Sequence, residues 1–129
     1  MTEKVCLTTF VYGDLYQGYI PFLAYSFNKA YPEYDMQIFI YGKLNEGVKK
    51  QLKELNLNMN LIFHENSFND FTKMNPLISK TLRWLLWDDS FLSYDYLYTV
   101  DIDILYIKEP IPLHKQHIRH MEMLGLPFS

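Results

Sequence analysis

Apolar residues along this chain switch repeatedly between two periods, and that switching limits the fold more than any other feature. Lys4 to Phe10 (KVCLTTF) is short, apolar and β-branched, and it runs into Tyr12-Gly13-Asp14, so it reads as a buried strand ending in a loop. From Gln17 to Ala30 the apolar Ile20, Leu23, Ala24, Phe27 and Ala30 recur at intervals of three and four, which predicts an amphipathic helix stopped by Tyr31-Pro32. Met36 to Tyr41 (MQIFIY), with Gly42 behind it, is a second strand. Asn45 is placed to cap a helix through Leu55 whose Val48, Leu52 and Leu55 form one stripe. Asn60 to His64 (NLIFH) is a third strand, and the polar stretch Glu65 to Asn75 is a loop. Pro76 suits the first turn of a helix carrying Leu77, Ile78, Leu82, Leu85 and Leu86 toward Trp87. Tyr96 to Val100 (YLYTV) is a fourth strand, and Ile104 to Ile107 extends it or starts a new one after a bend at Asp101-Ile102-Asp103. Lys108 to Pro112 breaks regular structure, and Leu113 to Leu124 forms a last helix.

Strands alternating with helices imply right-handed crossovers and a mainly parallel sheet covered on both faces. The class expected is α/β, a three-layer Rossmann-like fold, as one domain over residues 1–129. A hydrophobic fraction of 49% and an aromatic fraction of 17% supply the core, and they set the chain apart from disordered sequences. A net charge of −3, with no basic cluster beyond Lys49-Lys50, argues against a nucleic-acid partner. The single cysteine, Cys6, lies in an apolar run and suits core packing in a reducing compartment. No apolar stretch approaches the roughly 20 residues that span a bilayer, and Met1-Thr2-Glu3-Lys4 lacks the order of a signal peptide. A cytoplasmic protein is expected, with peripheral membrane contact left open.

The chemistry concentrates at Asp101 and Asp103. Two aspartates one residue apart at the end of a buried strand point hard oxygen ligands the same way, as Mg²⁺ or Mn²⁺ requires when it also bridges phosphate oxygens. Ile102 between them points to the opposite face. The competing reading is that the pair caps a turn, which aspartates do at strand ends. A phosphoryl-transfer site built on a nucleophile and acid pair would follow the first strand, whereas this pair follows the fourth.

Three segments together resemble the glycogenin-like and lipopolysaccharide-galactosyltransferase-like group of GT-A enzymes, glycosyltransferase family 8 and its relatives. They are Val5-Cys6-Leu7-Thr8-Thr9 with Asp14-Leu15-Tyr16 and Gly18, then Ser79-Lys80-Thr81-Leu82-Arg83-Trp84, then Tyr98-Thr99-Val100-Asp101-Ile102-Asp103-Ile104-Leu105. The resemblance implies a GT-A fold and a UDP-sugar or other nucleotide-sugar donor, from which a hexose is transferred to a glycan or lipid-linked acceptor. It implies that Leu7, Thr8, Thr9 and Tyr16 surround the base and ribose, that Lys80 or Arg83 faces the diphosphate or donor sugar, and that Asp101 and Asp103, flanking Ile102, hold Mn²⁺ or Mg²⁺. A retaining outcome follows from the resemblance alone. Phe10, Tyr12 and Tyr16 compete for the role of stacking on the base, because the loop after Thr9 departs from the family pattern. The family's remaining metal ligand and acceptor cleft lie farther toward the C-terminus, so the chain is expected to be the N-terminal portion of a longer enzyme and to self-associate through apolar surface. A noncatalytic nucleotide-sugar module and an ordinary α/β interaction domain are the readings from other classes.

Other polar and aromatic residues have simpler expectations. His114, His117 and His120 repeat every three residues and read as a solvated helix face rather than a metal site. Asp88-Asp89 reads as a solvated helix end, and Trp84 and Trp87 as packing residues. For Tyr16 and Tyr19 the alternative to a binding role is that of rim aromatics covering the first helix.

Overall fold

The computed structural model describes residues 3–129. At its centre strand β1 (Val5–Val11) is buried along its whole length. Its side chains divide between two cores, Leu7 and Val11 on one side of the sheet and Phe10 on the other. The strand β2 (Asp35–Ile40) pairs with β1 in parallel, β3 (Leu61–His64) pairs with β2, and β4 (Tyr96–Thr99) pairs with the free side of β1. One four-stranded parallel sheet results, in the order β3-β2-β1-β4.

Between β1 and β2 lie a short helix α1 (Asp14–Gln17) and the longer α2 (Ile20–Ala30). The helix α3 (Glu46–Leu55) joins β2 to β3. Ile20, Leu23, Ala24 and Phe27 of α2 pack with Leu7, Met36, Ile38 and Ile40, and Val48 of α3 closes the same core. Each large aliphatic or aromatic side chain so buried stabilises the fold by roughly 1.5–3 kcal/mol before entropy is counted. On the opposite face the helix α4 (Pro76–Leu82) contributes Leu82, which joins Phe10, Phe39 and Phe91 in a second core. Helices on both faces make the three-layer α/β, Rossmann-like arrangement that the alternating periods predict. A last helix, α5 (Leu113–Leu124), lies against the first core through Leu113. No helix among the described residues is long and apolar enough to cross a membrane.

Several local expectations change. The helix expected from Gln17 starts at Ile20, because Pro21 occupies its first turn, where the missing N–H costs nothing but the helix cannot be carried back through it. Asn45 stands at the N-cap of α3 without capping it: its Nδ2 donates to Asp14 Oδ1 at 3.2 Å. The helix expected to reach Trp87 tightens into a 3₁₀ turn over Arg83–Leu85. Ile104 to Ile107 is not a strand. There the Tyr106 amide donates to Ser26 Oγ at 3.1 Å and its ring packs edge-on against Phe27, so α2 rather than the sheet takes this segment's bonds.

The two faces of α2 set up a clear contrast in stability. Phe27→Ala empties the first core and is expected to cost about 3–5 kcal/mol, whereas Phe22→Ala, on the 63% exposed side, changes stability by less than about 0.5 kcal/mol; urea unfolding of both variants reads the difference.

Candidate functional site

The strand order reverses between β1 and β4, because the chain builds outward from β1 through β2 to β3 and then returns to the other side of β1. Loops leaving the carboxyl ends of two such strands diverge to opposite faces and leave a crevice between them. A cleft of about 190 Å³ lies there, with Thr9, Phe10 and Tyr12 from the end of β1 and Val100 to Asp103 from the end of β4.

Three local structures shape it. After β1 the chain turns at Gly13, whose φ of +92° lies in the left-handed region that side chains disfavour. The turn leads into α1, which presents Tyr16 to the cleft and buries Gln17. Gln17 accepts from the Asn45 amide at 2.7 Å and donates to the Lys43 carbonyl at 3.0 Å, which ties α1 to the loop after β2. On the second side, Pro76, Ser79, Lys80 and Arg83 all line the cleft. Their spacing of three, one and three is one face of a helix. On the third side, the Val100 amide extends the ladder by donating to Thr8 at 3.0 Å, after which Asp101 and Asp103 are exposed while Ile102 is buried.

The residues expected at the site fare differently. Thr9, Tyr16, Lys80, Arg83, Asp101, Ile102 and Asp103 come together in the cleft. Leu7 and Thr8 do not line it: Leu7 belongs to the first core, and Thr8 is buried with its hydroxyl 3.3 Å from that of Thr99. Position along the strand explains this: Leu7 and Thr8 lie two residues deeper than Thr9 and Phe10 on the same two faces, and only the last residues of β1 reach the carboxyl edge. Of the three candidate stacking aromatics, Phe10 is packed against Phe68, and Tyr12 packs on Tyr41 while its hydroxyl donates to the Met74 carbonyl. Tyr16 has the most exposed ring of the three, 37% accessible. Pro76 and Ser79 were not singled out as lining residues. The three-and-four spacing that links them to Lys80 and Arg83 was the signal that could have found them.

Opposite charges meet in the cleft. Arg83 Nη1 forms an ion pair with Asp101 Oδ1, and the Arg83 side chain is largely shielded, 24% exposed, with its Nε buried and without a hydrogen-bond partner among the described residues. Lys80 is exposed and forms no ion pair among the described residues. Asp101 and Asp103 offer two hard oxygen donors, the share of a Mg²⁺ or Mn²⁺ shell that a protein supplies when phosphate oxygens and water provide the rest. The donor chemistry fits such an ion.

Away from the cleft, three expectations are corrected. Trp84 and Trp87 are 68% and 58% exposed, so neither is a core residue, although Trp84 lies beside the Arg83 guanidinium and Trp87 meets buried Phe91 edge-on at 5.9 Å. His114 is not solvated; its ring sits against Tyr34, to which it is hydrogen-bonded, and its Nε2 lies 3.3 Å from Glu3. Asp88 ends no helix but caps the 3₁₀ helix Asp89–Ser93, accepting from the Ser90 amide and hydroxyl, and the hydroxyl bond holds its carboxyl below the usual range.

No protein-family model matches the sequence, and no curated protein matches it.

Asp88→Ala is expected to cost about 1 kcal/mol through loss of the cap, without altering the cleft. Because the Ser90 hydroxyl holds the folded carboxyl below its ordinary 3.8, the wild-type advantage is full above that pH and is lost as the pH falls on through the lowered folded value, which unfolding curves followed downward from about pH 7 will resolve.

Proposed function

We propose that the cleft binds the diphosphate of a nucleotide sugar, a UDP sugar, together with a divalent ion, and that the chain is the donor-binding part of a hexosyltransferase of the GT-A, family 8-like type. The observation that carries this reading is the meeting of two exposed aspartates and two cations at the point where the strand order reverses, the position at which open α/β sheets bind ligands. A volume of about 190 Å³ falls below the roughly 300–1,000 Å³ of pockets for whole drug-sized ligands, so it suits the diphosphate and its immediate neighbours.

Each residue then has a task set by its chemistry. Lys80, exposed and without an ion-pair partner among the described residues, binds phosphate oxygens. Tyr16 offers its ring to the base, and Thr9 closes the floor at the end of β1. Asp101 and Asp103 would hold Mg²⁺ or Mn²⁺, which when bound supplies Lewis-acid stabilisation of charge on the departing nucleoside diphosphate. Ile102, buried between them, fixes the strand end from which both carboxylates project. The acceptor is a glycan or lipid-linked hydroxyl. A cytoplasmic setting agrees with Cys6, a buried lone thiol that burial pushes up to about 12.

Calorimetry with UDP and Mn²⁺ tests the reading. Asp103→Asn is expected to remove most Mn²⁺-dependent UDP affinity while the far-ultraviolet spectrum stays unchanged, whereas Asp88→Asn leaves binding as it is. Equal losses from both substitutions would count against the cleft. Lys80→Ala should weaken UDP more than uridine, since the lost partner is phosphate charge; a uniform loss for both ligands would assign Lys80 to packing. Binding of a UDP-hexose with no transfer or hydrolysis would favour a noncatalytic nucleotide-sugar module.

A further inference from the structure

The two cations of the cleft are not equivalent. Lys80 has no charge partner among the described residues, whereas Arg83 is committed to Asp101 and lies beside the Trp84 ring, 5.2 Å from its centroid. The commitment is incomplete, because Arg83 Nε is buried with no hydrogen-bond partner. A guanidinium carries five N–H donors in a fixed fork suited to two-pronged contact with phosphate, and leaving one of them buried and unpaired keeps the bound arrangement from being an optimum. Asp101 for its part keeps about half its side-chain surface exposed, 52%, so its carboxylate is held from within but remains reachable from solvent.

We propose that Arg83 occupies Asp101 in competition with a divalent cation, and that loading of the cation releases Arg83 to meet the donor's diphosphate. The proposal rests on the reading of the cleft as a metal and diphosphate site. Its physical basis is exclusion: a guanidinium and a metal ion both need the same carboxylate oxygen, so the apparent affinity for metal is reduced by the fraction of time Asp101 is paired. A partly exposed ion pair of up to about 1 kcal/mol lowers the unpaired, metal-competent fraction, and with it the apparent metal affinity, by up to about fivefold. Phosphate that captures Arg83 removes the competitor, and by linkage metal and diphosphate raise each other's affinity by the same factor. Arg83 is therefore a positioning residue for Asp101 in the empty cleft and a ligand for phosphate in the filled one.

Substitution of Arg83 should consequently move the two affinities in opposite directions, which a merely structural role would not do. Titrations of Mn²⁺ alone, of UDP alone and of UDP at saturating Mn²⁺ by calorimetry, on the wild type, Arg83→Ala and Arg83→Lys, read this directly. Arg83→Ala is expected to bind Mn²⁺ alone about fivefold more tightly than the wild type, to bind UDP more weakly at saturating Mn²⁺, and to show less coupling between the two. Arg83→Lys keeps the charge and should stay near the wild type for Mn²⁺. Should Arg83→Ala lose its fold by circular dichroism, Arg83→Gln, which retains the stem, is read the same way. Unchanged or weaker Mn²⁺ binding in the uncharged variant, in a wild type that binds both ligands, overturns the exchange and leaves the donor-site reading standing. A wild type that binds neither Mn²⁺ nor UDP overturns that reading and the exchange with it.

Discussion

The molecule depends on one strand that has neighbours on every side. β1 is hydrogen-bonded in parallel to β2 on one edge and to β4 on the other, and helices bury both its faces. A strand in that position has no solvated backbone and no solvated face, so its residues are buried, Thr8 and Thr9 included, and it can expose chemistry only where it ends. Everything that the cleft contains from this part of the chain follows from that restriction: Thr9 and Tyr12 reach it, and Leu7 and Thr8 do not. The reversal of strand order beside β1 then opens the crevice, and the carboxyl ends of β1 and β4 become its walls.

Electrostatics divides the walls. One helical face delivers Lys80 and Arg83, and the end of β4 delivers Asp101 and Asp103, so two positive and two negative side chains share a space of about 190 Å³. Charges brought this close either neutralise one another or are kept for a ligand. Both happen here. Arg83 and Asp101 neutralise each other's charge only in part, with Arg83 Nε left without a hydrogen-bond partner, while Lys80 and Asp103 have no charge partner among the described residues.

The order of elements was legible because it depends on period alone: buried strands and striped helices announce themselves within a dozen residues. Boundaries were less so where competing local bonds decide. Pro21 moved the start of α2, the 3₁₀ turn at Arg83 shortened the fourth helix, and Ser26 drew the backbone after Asp103 away from the sheet. At the site, the aspartate pair stood out from its apolar flanks, and the cations from their helix. What could not be seen was pairing across long separations: nothing near Asp101 in sequence says that Arg83 meets it, and nothing near His114 says that Tyr34 and Glu3 surround it. Solvation of a side chain is a tertiary property, which is why the tryptophans and the first histidine were misjudged while the buried Cys6 was not.

Ile102 gives the spacing of the two aspartates a second meaning. It is 7% exposed and belongs to the first core, so it acts as a peg driven into the protein between two side chains that must stay outside. The single intervening residue is thus a mechanical requirement as much as a chemical one. An insertion beside Ile102 would offer the core a choice between losing its peg and swallowing a carboxylate, and a deletion of Ile102 would take the peg away and leave the two acids adjacent in the turn that follows β4. A lineage carrying this sheet is therefore free to change which acid stands at either position long before it is free to change the distance between them.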